Sequence, residues 1–219
     1  MKILHFFMHP LFPIVAGNQA NTLELCNLLN ENNHEITLMY VDYEDKKNNK
    51  IIEQKAKHPF VSIYSVPFYQ KNLFSNIYRK VTKALKLLIG MSPITIHFQP
   101  DILVKNSIKQ YLNKNKFDIV IIHYIFATKF LLPLLNKNTK TVLFAHGLMY
   151  LEKKRFYPKI PEWWHKNNRS LEMGILKKYD KIILVGDYEK KILINNDIDE
   201  KNILLCGVAS KPIDKIETK

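Results

Sequence analysis

Apolar positions along this chain follow two alternating periods. Short apolar runs recur at residues 2–8, 35–41, 61–66, 117–123, 139–146, 181–185 and 203–206. Their lengths fit strands, and continuous runs such as FDIVIIH at 117–123 fit strands buried on both faces. Between the runs the spacing changes to three and four. Residues 20–32 carry Leu23, Leu25, Cys26, Leu28 and Leu29 on one broad face, which predicts a helix. Helices are also predicted over 72–89, 101–115, 130–135, 162–178 and 188–195, the last begun by Asp187 as N-cap. Residues 9–17, with Pro10, Pro13 and Gly17, read as a loop, 45–50 as a loop or frayed helix, and the chain from Ser210 as a polar tail. Strands alternating with helices predict an α/β fold: a doubly wound, mostly parallel, Rossmann-like sheet joined by right-handed crossovers.

Composition narrows this picture. With 219 residues, 47% apolar and 24% charged, the chain can bury a substantial core and is not disordered as a whole. No apolar run approaches the roughly 20 residues of a membrane-spanning helix. Lys2 and the apolar stretch after it imitate a signal peptide, but His5, His9, Pro10 and Pro13 interrupt it, so a first buried strand is expected. Cys26 and Cys206 stand far apart, which excludes a disulfide scaffold and fits a reducing cytoplasm.

The net charge of +13 is uneven. Between Lys46 and Lys116 fourteen Lys and Arg face two acids, Glu53 and Asp101, so this block carries nearly all of the excess. A single basic block points to an anionic partner surface. On the predicted helix 72–89, Phe74, Ile77, Tyr78, Val81, Leu85, Leu88 and Ile89 form one apolar stripe, with Lys71, Arg79, Lys80, Lys83 and Lys86 beside or opposite it. Such a helix can lie in the headgroups of an anionic leaflet, or pack its stripe on the sheet and leave the lysines solvated. Nucleic acid is not expected: arginine is scarce here and aromatic residues do not interleave with the basic ones.

In a doubly wound sheet, ligands bind beyond the carboxyl ends of the strands, where strand order reverses. The residues there are His9, His123 and His146–Gly147, with Gly17 and Asn18 opening the first helix. A helix start at Asn18 offers free N–H groups to a phosphate or carboxylate. His123 and His146 can donate hydrogen bonds or exchange protons near neutral pH. Gly17 is equally readable as a turn residue that needs positive φ. Glu172 either orients a loop in the crevice or is a surface carboxylate. No metal site is expected, since no His-x-x-x-His falls on a predicted helix and no Cys lies close to a His. The first loop has one glycine and no Gly-x-Gly-x-x-Gly, which argues against an epimerase or dehydrogenase, and there is no Walker loop or nucleophile elbow.

Several segments in order resemble one family. KILHFFMHPLFPIVAGNQANTLELCNLLNENNHEITLMYVD resembles the opening of the glycosyltransferase group 4 family, FDIVIIHYIFA its strand ending in a crevice histidine, and TVLFAHG its next strand. WWHKNNRSLEMGILKKYDKIILVGDYEKKIL resembles the helix–strand–helix that closes its N-terminal domain, and NILLCGVAS the entry to its interdomain linker. The resemblance implies the N-terminal, acceptor-binding half of a GT-B fold over residues 1–208, with 209–219 the start of a linker or a disordered tail. It places His123 at the catalytic cleft, Gly17 and Asn18 on the loop facing the donor phosphates, and His146 with Gly147 on the acceptor side. It further implies a nucleoside-diphosphate sugar as donor substrate, retention of configuration, no metal, and a glycan or lipid-linked acceptor. A basic helix in this half is typical of members that act on lipid-linked acceptors.

The departures are the single loop glycine, Gly186–Asp187 where a serine is common, Cys206 in the linker entry, and no two glutamates spaced as in the family's donor-binding Glu-x7-Glu. A C-terminal donor domain or partner chain is therefore expected to supply the donor site, and this chain alone is expected to turn over little. The resemblance places the protein in the cytoplasm, peripheral on the inner face of the membrane. The competing expectation is a non-catalytic basic module that docks on an anionic membrane or a partner subunit.

Overall fold

A computed structural model describes residues 1–8, 17–42, 61–67, 102–156 and 161–206, together with residues 81 and 159. Among the described residues seven strands form one sheet: β1 (Lys2–Phe7), β2 (Glu35–Asp42), β3 (Val61–Pro67), β4 (Ile119–His123), β5 (Lys140–Ala145), β6 (Lys181–Leu184) and β7 (Ile203–Leu205). Their spatial order is β3-β2-β1-β4-β5-β6-β7 and every pairing is parallel. The chain thus winds outward from β1 to one edge, returns to lay β4 against the other side of β1, and winds outward again. Strand order reverses between β1 and β4, which opens a crevice above their carboxyl ends.

The pleat explains the two cores. On one face Leu4 and Phe6 of β1, Val120 and Ile122 of β4 and Leu143 of β5 pack with Met39, Val104, Ile108 and Leu184. On the other face Ile3 and Phe7, Ile121, Val142 and Phe144 pack with Cys26, Leu38 and Ile183. Both sets are buried, so these strands are apolar on both sides, as all-parallel sheets require.

Helices α1 (Gly17–Glu31), α2 (Ile102–Lys114), α5 (Glu162–Leu176) and α6 (Asp187–Ile194) match the periodicity of the sequence within a few residues. Differences occur elsewhere. The helix expected at 130–135 is one α turn, α3 (Thr128–Leu131), followed by a 3₁₀ turn, Leu132–Leu134, because Pro133 has no N–H with which to continue the α ladder. A helix that the periodicity did not suggest, α4, spans Met149–Phe156. Leu28 faces solvent instead of joining the α1 stripe. Gly186 is the N-cap of α6, and Asp187, one residue later, makes no side-chain cap bond but lies where its charge suits the helix dipole. Val81 is helical and half exposed. The remainder of the expected basic helix at 72–89, with Lys71, Arg79, Lys80, Lys83 and Lys86, lies outside the described residues, as do His9, the stretch 45–50 and the expected linker or tail at 209–219. Among the described residues, no helix is long and apolar enough to cross a membrane.

Candidate functional site

Alternation along three adjacent strands brings three histidines to the same face. Odd-numbered residues of β1 and β4 point toward α1, and so do Val142, Phe144 and His146 of β5 and its end. His5 lies level with Ile121, and His123 lies level with Phe144. Each histidine is thus one pleat higher than its neighbour on the preceding strand, a diagonal rising from inside the sheet to the rim of the crevice. His5 Nδ1 is 3.1 Å from His123 Nε2, and His123 Nδ1 is 3.2 Å from His146 Nε2. Both ring pairs are stacked, and Phe7 and Phe144 wall the row.

Burial grades along the row. His5 and His123 are fully buried, while His146 is partly open. Burial lowers the pKa of His5 to about 3 and that of His146 to about 4. It also holds His123 well below its ordinary 6.5, with smaller contributions from His5 and His146 beside it. All three imidazoles are neutral near pH 7. The rings share nitrogens in pairs along a line, and among the described residues no group of three or more His, Cys, Asp or Glu is arranged to hold a metal ion.

Helix α1 closes the row from above. Its inward stripe runs Asn18, Thr22, Cys26, and Thr22 and Cys26 are buried. Thr22 Oγ1 donates to the Asn18 carbonyl at 2.8 Å and lies 3.4 Å from His123 Nδ1. The Asn18 amide donates to the Tyr124 hydroxyl. Tyr124, directly after His123, has φ of 73°, an uncommon conformation for a bulky residue. That kink ends β4 and turns the ring across Phe7 and His146. Burial, and next the Glu152 charge, raise the Tyr124 pKa, so its phenol keeps its proton. Gly17 is the first residue of α1; its φ is not positive, which removes the turn reading, and open space surrounds the place where a side chain would stand.

Glu172 is buried, so the surface-carboxylate reading fails. Its two oxygens accept the backbone N–H groups of Met149 and Tyr150, both at 2.8 Å. These are among the unpaired donors at the start of α4, so a side chain from α5 caps α4 and fixes the loop after β5 that carries His146 and Gly147. Burial raises the Glu172 pKa to about 7, while the two N–H bonds pull the other way. His146, Gly147, Tyr124, Glu152 and Glu172 line one small pocket at the crevice. A Cβ on Gly147 would come within 2.9 Å of the Glu152 carboxylate, a contact that the side chain can relieve by moving. A larger depression of about 500 Å³, lined by Asn113, Asn115, Asp118 and Asn138 among others, opens at the opposite, amino edge of the strands.

The residues singled out from sequence thus gather at the switch point: His123, His146 and Gly147 at the strand ends, Asn18 above them, and Glu172 behind the loop. Missed from sequence were His5, Thr22, Tyr124 and Glu152. His5 had a signal, a polar residue two positions before Phe7 in an apolar strand. Thr22 had one also, four residues after Asn18 on the inward stripe of α1.

The sequence model of Glycosyltransferase Family 4 matches residues 17–206. No curated protein sequence matches the chain significantly. Similar solved structures include Anabaena Alr3699/HepE in complex with UDP-glucose, at 9% identity and TM-score 0.50, over 94% of this chain and 43% of that one. The lipopolysaccharide outer core galactosyltransferase WaaB in its apo form matches at 11% identity and TM-score 0.51, over 93% of this chain and 44% of that one. Arabidopsis thaliana UGT89C1 complexed with UDP matches at 9% identity and TM-score 0.54, over 97% of this chain and 50% of that one. At these identities the likeness is one of fold, and this chain spans half or less of the length of each.

Proposed function

The chain belongs to Glycosyltransferase Family 4, with the Rossmann-like fold of the N-terminal half of a GT-B architecture, and from that premise we propose that it is the acceptor-binding half of a retaining glycosyltransferase. On this reading the donor is a nucleoside-diphosphate sugar, and the product is cell-surface polysaccharide or lipopolysaccharide. The observation that supports it best is the row of imidazoles meeting Asn18 and Tyr124 at the reversal of strand order, beside the start of α1. HepE was solved with UDP-glucose and WaaB is a lipopolysaccharide galactosyltransferase, which favours UDP-hexoses as donors.

In this reading the chain's own groups bind and orient. His146 hydrogen-bonds to the sugar or the acceptor, and His123 holds His146 from behind. The N–H groups at Gly17 and Asn18 face the phosphates, where the positive end of α1 favours departure of the nucleoside diphosphate. Neutral imidazoles suit positioning and hydrogen bonding better than proton abstraction, and no metal ion is required. A C-terminal donor domain or a partner chain supplies the donor half, and the protein works in the cytoplasm at the inner face of the membrane. Isothermal titration of UDP-glucose and of short glycans into the folded chain tests this. Binding of either ligand, weakened about three- to tenfold by His146→Phe, is expected for the loss of one neutral hydrogen bond. Absence of binding and of transfer across a panel of donors and acceptors, with a folded donor half added, would overturn it.

A further inference from the structure

Hydrogen-bond accounting along the histidine row settles where each proton sits. A neutral imidazole has one N–H and one bare nitrogen. The hydroxyl proton of Thr22 is committed to the Asn18 carbonyl, so toward His123 Nδ1 its oxygen can only accept. A bare Nδ1 on His123 would face that oxygen lone pair to lone pair. With a proton there, Nδ1–H serves Thr22 Oγ1 and His146 Nε2 together. His123 Nε2 is then bare and accepts from Nδ1–H of His5. Likewise His146 Nε2 accepts and leaves its proton on Nδ1. His5 Nε2 is buried without a partner, and in this arrangement it is a bare acceptor. The reverse arrangement would bury an unpaired N–H there, an orphan that folded proteins seldom keep.

We infer that His5 and Thr22 are positioning residues that lock His123 and His146 as Nδ1–H tautomers, so that the crevice end of the row is a fixed hydrogen-bond donor. Among the described residues His146 Nδ1 has no partner and is not one of the buried unpartnered nitrogens, so it opens to the crevice. The group it meets carries a lone pair: a hydroxyl, ring or phosphate oxygen of the substrate. The row is also not a proton wire. Reversing all its hydrogen bonds would require a proton to enter at His5 Nε2, which no solvent reaches. The identity of the ligand rests on the functional reading above; the tautomers do not.

The test is a long-range ¹⁵N–¹H correlation spectrum of the full chain with labelled histidine, at pH 7 and without ligand. Nδ1–H signatures for His5, His123 and His146 are expected, the opposite of the preference of free histidine. In a His5→Asp/Thr22→Val double variant an acceptor replaces the Nδ1–H donor and the Thr22 acceptor is gone, so His123 and His146 should move largely to the Nε2–H form. His5→Asn places an amide N–H near the position of Nδ1 and should preserve the wild-type pattern. Should the double variant fail to fold, the wild-type and His5→Asn spectra decide alone. An Nε2–H His123 in the wild type, or unchanged tautomers in a folded double variant, would overturn the inference even if UDP-glucose binds. Failure of UDP-glucose to bind alongside the expected spectrum would instead overturn the functional reading.

Discussion

The three imidazoles of the row, two buried and one partly open, and one buried carboxyl give the molecule opposed responses to pH. His5, His123 and His146 bind protons less readily when folded than when unfolded, so below about pH 6.5 the unfolded chain takes up protons that the native state refuses. Their effect is full stability above pH 6.5, lost as pH falls. Glu172 acts with the other sign: its pKa rises from 4.5 to about 7, so the native state keeps a proton that the unfolded chain has released. Its contribution weakens as pH rises from 4.5 to 7. Near pH 5.5 three protons oppose one, a net of about two, or ~3 kcal/mol per pH unit. Urea unfolding followed between pH 7 and pH 5 should therefore show steep acid destabilisation. His5→Phe, which keeps the ring volume, should shallow that slope by about one proton. A slope unchanged by His5→Phe would mean that its ring is not held neutral by burial.

Glu172 also shows how an element outside the sheet controls the crevice. Helix α4 has a single buried residue, Tyr150, and little periodicity of its own to hold it. Its start is secured by the α5 carboxylate on Met149 and Tyr150. Glu172→Gln keeps one acceptor oxygen and turns an NH₂ toward the other backbone N–H. A loss of about 1–3 kcal/mol is expected, with faster amide exchange at Met149 and Tyr150 and unchanged exchange in β1. Equal acceleration in both would mean that Glu172 supports the whole fold and not this helix. No local pattern announces such a cap, because α4 and Glu172 are brought together only by tertiary packing. The strands were legible for the opposite reason: burial on both faces demands continuous apolar runs, and those runs are visible. His123 and His146 could be read because each ends such a run. His5 showed only as a polar residue inside an apolar run, and its role could not be read because it depends on a diagonal register between β1 and β4. The helix expected at 130–135 failed on Pro133, a breaker visible in the sequence that outweighs the apolar pattern around it.

At the scale of the whole molecule, the crevice and the charge belong to different parts of the chain. The row of imidazoles is neutral, and Glu152 and Glu172 stand nearby, so the site itself adds little positive field. The +13 excess is concentrated between Lys46 and Lys116, a stretch lying between β2 and β4 in sequence. On the proposed reading, this basic block holds the protein at an anionic surface where its substrate is presented. Each basic residue close to an anionic leaflet contributes about 1 kcal/mol. Converting Lys80, Lys83 and Lys86 to Gln should then cost ~3 kcal/mol, about a hundredfold in partition onto vesicles containing phosphatidylglycerol. The binding of the unaltered chain should fall as salt rises from 50 to 500 mM, since screening shortens the reach of exposed charges. Zwitterionic vesicles should retain little protein under any of these conditions. Equal sedimentation with both kinds of vesicle, or indifference to the three substitutions, would detach this basic block from any membrane role, while leaving the sheet and its histidines as they stand.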